Sequence, residues 1–309
     1  MVEIGIPAYN SALYVGDAIR GCLMQQYDPI RVIVADDCSS DNTVDAVQHF
    51  QPDKRIQLSR NEKNIGRVGN YRHILYDLAQ SDWYINLDAD DYFVDPHFIK
   101  HGMEMIKANG DNEIAFYQGN HNIEKLRKTL PQFTDLNDEE ILVEGKEYFI
   151  HFPQIQKNTH CATLYNRTKA LPLNFYSADG CLYADFHSLS RLALTGKVIL
   201  SSKKVAAWRQ HPGNASKTLN ESKLQKELAA LEDVALFAAN YLPAPEISKW
   251  LSKMKEYYRV NFIYQHSTYA PGWVTIRYIM RNWRFNWLYP RYVFKNFLLM
   301  IRRLFIGKK

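Results

Sequence analysis

The chain lacks three features that would fix its class at once. No run of apolar residues reaches the ~18 that a membrane-spanning helix needs, so we expect no transmembrane segment. Only four cysteines occur in 309 residues, without paired or CxxC spacing, which argues against disulfides and zinc and favours a reducing compartment. No basic leader followed by an apolar stretch opens the chain, so we also expect no secretory signal.

Acidic residues are missing from the end of the chain. All 33 Asp and Glu residues lie before residue 257, whereas ten of the 38 Lys and Arg residues lie after it, among many aromatic residues. As a helix, residues 293–306 would place Phe294, Phe297 and Phe305 on one face. Basic amphipathic helices of this kind lie in the membrane interface. We therefore predict that residues 273–309 bind an anionic membrane surface; packing on the catalytic domain or on a partner is the alternative, and nothing else indicates nucleic acid.

The N-terminal part alternates short apolar runs with amphipathic stretches. Strands are predicted at residues 2–6, 31–35, 56–59 and 84–87, with helical stretches between them. Strands separated by helices indicate βαβ units and a parallel sheet. Such sheets bind ligands at the carboxyl ends of their strands. The Gly-rich fingerprint of dinucleotide-binding folds and the Walker loop are both absent.

Polar residues follow each of these strands. They are Pro7 to Asn10 after the first, Asp36 and Asp37 after the second, Asn64 and Gly66 after the third, and Asp88 to Asp91 after the fourth. In a parallel sheet these four groups lie on one edge. Because scattered capping residues would not be expected to fall so regularly, we predict a ligand site there.

Three carboxylates within four positions, Asp88, Asp90 and Asp91, close the fourth strand. Anions this close raise one another's pKa unless a positive charge lies among them. Oxygen ligands suit Mg²⁺ or Mn²⁺, which often bridge to substrate phosphates. A solvated loop with helix-capping Asp residues would have the same composition, but the position at a strand end favours the metal site.

As a set, these motifs resemble glycosyltransferase family 2, with its Rossmann-like type A nucleotide-diphospho-sugar fold. The resemblance rests on residues 6–10, 34–43, 64–70 and 87–91, and covers about the first 100 residues. It implies an α/β fold: a catalytic domain at 1–218, and a helical C-terminal region at 219–309 with a basic, membrane-associating tail.

The resemblance also implies roles for single residues. The donor site would be a UDP-sugar site with Asp36 and Asp37 at the uracil. The alternatives are that Asp37 caps the next helix and that Tyr9 is a packing residue. The metal, Mn²⁺ or Mg²⁺, would be held by Asp90, with Asp88 on metal or ribose and His211 as a further ligand. The full set of predicted donor-binding residues is Pro7, Ala8, Tyr9, Asn10, Asp36, Asp37, Asn64, Gly66, Arg67, Asn70, Asp88 and Ala89.

The acceptor half is less readable. We predict a strand at 113–117 and a helix at 135–150. Asp185 matches the family's catalytic base at a helix start, although Ala184 stands where the family has Glu; Asp179 is the rival base, and helix capping is the alternative role of Asp185. Helices are predicted at 221–241 and 246–265.

Together, the resemblance and the tail imply a cytoplasmic, inverting hexosyltransferase on the cytoplasmic face of the inner membrane. It would move a hexose from a UDP-sugar to a lipid-linked glycan, such as a polyprenyl-diphosphate oligosaccharide used in protein glycosylation. Two alternatives stay open: a glycosyltransferase of lipopolysaccharide core or capsule assembly, and a non-catalytic nucleotide-sugar-binding scaffold.

Overall fold

The computed structural model describes residues 1–155, 160–177, 180–211, 213–214 and 220–269. Its strands, in chain order, are β1 Val2–Ala8, β2 Ile30–Asp36, β3 Ile56–Arg60, β4 Trp83–Asn86, β5 Tyr92–Phe93, β6 Ile114–Gln118, β7 Thr134–Asn137, β8 Glu140–Glu144, β9 Thr163–Asn166, β10 Lys197–Ser201 and β11 Ala206–Ala207. Its α-helices are α1 Val15–Leu23, α2 Thr43–Gln48, α3 Arg67–Arg72, α4 Phe98–Ala108, α5 Ile123–Thr129, α6 Gly145–Ile155, α7 Arg167–Ala170, α8 Ala184–Ala193, α9 Glu221–Ala238 and α10 Ala244–Tyr269.

A central sheet of nine strands has the order β3-β2-β1-β4-β9-β6-β10-β8-β7. The four strands predicted in the first 90 residues are neighbours in it, and each pairs in parallel with the next. β9 then runs antiparallel to both β4 and β6. The predicted parallel sheet is therefore correct for the N-terminal part, and the whole sheet is mixed.

Burial explains why β1 and β2 are so apolar. Val2, Ile4 and Ile6 are fully buried, as are Val32 and Val34. Parallel strands are covered by helices on both faces, so they form nearly continuous apolar runs. Each such side chain contributes about 1.5–3 kcal/mol when it leaves water. This core holds the carboxyl ends of the strands, and thus the polar loops, in fixed positions.

The helix predicted at 135–150 is wrong over its first ten residues. β7 and β8 form an antiparallel hairpin there, and only α6, from Gly145, is helical. Ile141 and Val143 are buried in alternation, opposite Leu200 and Val198 of β10. A two-residue period fits a strand, and the turn between β7 and β8 begins with Asp138, a residue type that favours turns.

By internal contacts the chain forms two units. One comprises residues 1–179, 183–209 and 236–243, and the other comprises 180–182, 210–235 and 244–309. The predicted domain limit at 218 stays a prediction. The helices predicted near 221–241 and 246–265 correspond to α9 and α10. Across the described ranges, no helix combines the length and the apolar character needed to cross a membrane. The tail at 273–309 lies outside the described residues.

Candidate active site

The sheet register brings the first two polar loops together. Ala8 lies opposite Asp36 in the β1–β2 pair, so both strands end at the same level. The Asn10 amide donates to Ser39 Oγ at 2.9 Å, and the Ser40 amide donates to Asn10 Oδ1 at 2.9 Å. Asn10 adopts a positive φ of 49°, a conformation that Asn tolerates better than most residues. Tyr9, next to it, is half exposed, which leaves its ring accessible to a ligand.

Asp36 and Asp37 are adjacent and buried, yet their carboxylates are used differently. Asp37 Oδ1 accepts from the Asn61 side chain at 2.9 Å and the Ile65 amide at 2.8 Å, and Oδ2 accepts from the Gly66 amide at 2.9 Å. Asp36 Oδ2 accepts from the Ser39 amide at 3.1 Å, whereas Oδ1 is buried without a partner within the described residues. A buried acceptor without a donor lowers the stability of the fold, and a ligand N–H could supply that donor to Asp36 Oδ1.

The segment after β3 is fixed by these bonds and by Asn70. Gly66 has φ +81°, and a Cβ there would meet nothing within 4 Å, so its backbone conformation is what favours glycine. Asn70 is buried and donates to the Ala35 carbonyl at 2.8 Å. Asn64 Oδ1 accepts from the Gly66 amide at 3.0 Å. These predicted donor-site residues therefore border the loop that follows β2.

Arg67 and Arg72, the two arginines of the same segment, lie in different surroundings. The Arg67 guanidinium donates to the Tyr71 hydroxyl at 3.1 Å. Arg72 donates to the Asn174 side chain and the Phe175 carbonyl, both at 2.8 Å, and lies over the Tyr76 ring. Arg72 thus supports the segment before α8, and Arg67 is the arginine adjoining the strand-end carboxylates.

Asp88, Asp90 and Asp91 converge after β4. One oxygen from each lies within 4.8 Å of the others. Asp91 is 5% exposed. Burial, reinforced by the charges of Asp88 and Asp90, raises the pKa of Asp91 to about 8. Carboxylates forced together in this way are stabilised by a cation, and their oxygens suit Mg²⁺ and Mn²⁺.

Arg209 fixes the turn that carries these carboxylates. Its amide donates to Asp91 Oδ1 at 3.1 Å, its Nε to the Asp90 carbonyl at 3.0 Å, and its Nη2 to Asp17 Oδ2 at 2.7 Å. The antiparallel pairing of β5 with β11 brings it there. Sequence analysis did not predict these contacts of Arg209.

A cluster of buried rings, Tyr71, His160 and Tyr176, adjoins Asp88. The Tyr71 hydroxyl donates to Asp88 Oδ1 at 2.6 Å, and the Tyr71 ring packs against His160 and Tyr176. His160 Nδ1 lies 3.3 Å from Asn86 Nδ2, and its Nε2 contacts the Tyr176 hydroxyl. Sequence analysis missed Tyr71, Asn86 and Tyr176. They could not be found from the sequence, because they come from α3, β4 and the 160–177 segment, which meet only in the folded chain.

Asp185 lies in the first turn of α8. The residue at the N-cap is Tyr183, which makes no side-chain capping bond, so Asp185 is not the capping residue. Burial raises the pKa of Asp185, while the nearby charges of His160 and Arg67 oppose that shift. A carboxylate with a raised pKa is a better proton acceptor. Asp179 lies outside the described residues.

His211 belongs to the second unit. Its amide donates to Asn214 Oδ1 at 2.6 Å. Its predicted place among the metal ligands stays a prediction.

The family model described as "Glycosyl transferase family 2" matches residues 3–171, which contain all four strand-end groups. The chain belongs to glycosyl transferase family 2. An uncharacterized glycosyltransferase of Haemophilus influenzae is 25% identical over 66% of this chain and 83% of its own length.

Two further relatives carry names that state a reaction. An Escherichia coli UDP-Glc:alpha-D-GlcNAc-diphosphoundecaprenol beta-1,3-glucosyltransferase is 33% identical over 40% of this chain and 46% of its own. The Staphylococcus aureus poly(ribitol-phosphate) beta-N-acetylglucosaminyltransferase TarS is 27% identical over 43% and 24%. The match spans less than half the length of either relative.

Solved structures show the type A glycosyltransferase fold for this family 2 chain. Residues 1–349 of S. aureus TarS, in complex with UDP-GlcNAc, superpose with a TM-score of 0.61 at 13% identity, over 95% of this chain and 86% of that one. A Pyrobaculum calidifontis mannosyltransferase, in complex with GDP-Man and Mn²⁺, gives 0.60 at 14% identity, over 100% and 88%. The predicted Rossmann-like α/β fold is confirmed.

Proposed function

We propose that this glycosyltransferase moves a hexose from a UDP-sugar to a hydroxyl of a lipid-linked glycan, with inversion at the anomeric carbon. The observation that carries the proposal is the cluster of Asp88, Asp90 and Asp91 after β4, together with Asp185, because the charges of Asp88 and Asp185 both act on the buried Tyr71. The partial sequence match to a UDP-glucose enzyme acting on a diphosphoundecaprenol acceptor supports the donor and acceptor classes.

The residues fit a divalent cation. Asp90 and Asp88 would hold Mn²⁺ or Mg²⁺, with His211 as a further ligand, because they offer hard oxygen donors and a neutral imidazole. When bound, such a cation supplies positive charge to the departing diphosphate. Asp91, which accepts a hydrogen bond from the Arg209 amide, would orient the metal ligands Asp88 and Asp90 without binding the metal itself.

Asp36 would accept from a nucleobase N–H through Oδ1, the oxygen that has no partner within the described residues. Pro7, Ala8 and the exposed Tyr9 ring would border the base. Asp37 would act indirectly, since it fixes the amides of Ile65 and Gly66.

Asp185 would take the proton of the acceptor hydroxyl. The hydroxyl oxygen then bonds to the anomeric carbon, the bond from that carbon to the β-phosphate oxygen breaks, and its electron pair leaves with UDP. Ala184 removes the carboxylate that the family has beside this base, so Asp185 has to act without it.

Mass spectrometry of products tests the proposal directly. The full-length protein, a panel of UDP-sugars and polyprenyl-diphosphate acceptors should give one glycosylated lipid in a Mn²⁺- or Mg²⁺-dependent reaction. Asp185→Asn should lower turnover by about 10²- to 10⁴-fold, the usual contribution of a general base. The matched control is Asp111→Asn, because Asp111 is an exposed carboxylate that precedes the first residue of β6. Near-normal turnover in Asp185→Asn would exclude the base assignment.

The basic tail is proposed to bring the enzyme to the cytoplasmic face of the inner membrane. Each Lys or Arg near an anionic leaflet contributes about 1 kcal/mol. Arg302→Ala with Arg303→Ala should therefore weaken binding to vesicles containing phosphatidylglycerol by roughly 30-fold, with little change for neutral vesicles. Unchanged cosedimentation with anionic vesicles would contradict the membrane role.

A further inference from the structure

We propose that Tyr71 is a positioning residue that locks Asp88 in one orientation, with Oδ1 held by the protein and Oδ2 presented to the cation and donor. This inference rests on the proposed function of Asp88. It adds a residue that none of the sequence motifs had assigned.

The first support is the set of donors on Asp88. Oδ1 accepts from the Tyr71 hydroxyl at 2.6 Å and, more weakly, from Asn86 Nδ2 at 3.4 Å. No donor in the described part of the chain is bonded to Oδ2. A short bond to an ionised carboxylate is among the stronger hydrogen bonds in proteins. Asp88 is thus engaged from one side only.

The second support is the immobility of Tyr71 itself. The residue is 1% exposed. Its ring centroid lies 5.6 Å from that of His160, edge-on, and 5.1 Å from that of Tyr176. A side chain packed in this way has few rotamers available, so its hydroxyl is held where it meets Asp88.

The third support is the connection to Arg67. The Arg67 guanidinium lies 5.4 Å from the Tyr71 ring centroid and donates to the Tyr71 hydroxyl. The hydroxyl therefore accepts from Arg67 while it donates to Asp88. Hydrogen bonds in such a chain polarise one another, which strengthens the bond to the carboxylate.

Locking Asp88 has a consequence for metal binding. Asp90 and Asp91 lie close enough to repel it, and a free carboxylate would rotate away or pair with another donor. Outer-sphere partners that orient metal ligands typically change metal affinity by roughly 10- to 100-fold. Tyr71 would then contribute most to cation affinity and little to the chemistry once the site is filled.

The test compares Tyr71→Phe with Tyr84→Phe in the full-length protein. Tyr84 is a fully buried tyrosine on β4 whose hydroxyl has no hydrogen-bond partner in the described structure, so its loss removes the same atom without the same bond. Free Mn²⁺ is measured by electron paramagnetic resonance, with and without UDP. We expect Tyr71→Phe to raise the apparent Kd for Mn²⁺ roughly 10- to 100-fold, with kcat at saturating Mn²⁺ within a few-fold of wild type, and Tyr84→Phe to change neither. Equal Mn²⁺ affinity in wild type and Tyr71→Phe would overturn the inference.

A double-variant comparison separates positioning from general destabilisation. If Tyr71 acts through Asp88, adding Tyr71→Phe to Asp88→Asn should change Mn²⁺ binding little beyond Asp88→Asn alone. A further loss as large as in the wild-type background would overturn the inference, even if Tyr71→Phe is less stable.

The Mn²⁺ readout also separates this inference from the proposed function. If the wild-type protein binds Mn²⁺ more tightly than Tyr71→Phe but transfers no sugar, the proposed function is refuted and the inference is supported. A wild-type protein that binds no Mn²⁺ overturns the inference, while product analysis still decides the function.

Discussion

The surroundings of two buried carboxylates, Asp91 and Glu140, shift their pKa values in opposite directions. After β4, Asp91 lies beside Asp88 and Asp90, and burial together with their charges raises its pKa to about 8. On β8, next to the edge strand β7 of the sheet, Glu140 is also buried, and burial alone would raise its pKa. Hydrogen bonds from His101, Asn137 and Tyr117 outweigh this effect and lower it from 4.5 to about 2.

The difference lies in what surrounds each carboxylate. Glu140 Oε1 accepts from His101 Nε2 at 2.7 Å and the Tyr117 hydroxyl at 2.8 Å, and Oε2 accepts from Asn137 at 2.8 Å. Its donors come from the protein, so it serves the fold. Asp91 accepts from the Arg209 amide, but it also lies beside the charges of Asp88 and Asp90, and with burial these raise its pKa. Such a group of carboxylates is what the proposed cation would stabilise. Burial by itself therefore does not identify a functional carboxylate.

The largest expected effect separates the two groups by function. Asp90→Ala should lower metal-dependent UDP release by on the order of 10³-fold, as for loss of a main charge-stabilising group. Glu140→Gln should keep near-normal activity at neutral pH. Coupled assay of UDP release with a manganese titration measures both. If the two variants lost activity equally, the functional distinction would fail.

A second experiment addresses the structural side of the comparison. Because the pKa of Glu140 is lower in the folded state, its contribution to stability is full above about pH 4.5 and disappears as the pH falls towards 2. Glu140→Gln should lower the free energy of unfolding by about 2 kcal/mol at pH 7, and this difference should shrink below pH 4.5. Urea unfolding over a pH series measures it, with the exposed Glu124→Gln as control. A difference that does not depend on pH would contradict the assigned cause.

The smallest effects concern Asp36 and Asp37. Asp37→Ala removes the acceptor for the amides of Ile65 and Gly66, so these amides should exchange hydrogen faster. UDP affinity should also fall by about tenfold, which corresponds to the loss of one hydrogen bond to a charged group. Asp36→Asn should weaken UDP binding without faster exchange at residues 65 and 66. Hydrogen exchange followed by mass spectrometry separates the two. Equal exchange in both variants would show that Asp37 does not hold this loop.

Sequence reasoning was most successful where local pattern and fold agree. The strands β1 to β4 and the groups at their ends could be predicted because buried parallel strands are apolar runs and their ends share one edge. The hairpin of β7 and β8 was missed, because its mix of acidic and apolar residues fits a helix as well as a half-buried strand. Asp37 was predicted at the nucleobase or as a helix cap. The nucleobase role stays a prediction, and the carboxylate accepts from Asn61, Ile65 and Gly66 in the loop after β3.

The amino-acid sequence by itself determined the fold family, the parallel half of the sheet and the positions of the strand-end carboxylates. The family comes from the resemblance of its motifs, and the other two features follow from periodicity and from residues close together in the chain. Only the tertiary structure decided which carboxylates have donors, that Tyr71 bonds to Asp88, and that Arg209 fixes the turn at Asp90 and Asp91. Those contacts join residues far apart in sequence, and their free energies depend on distances and burial that exist only once the core has packed.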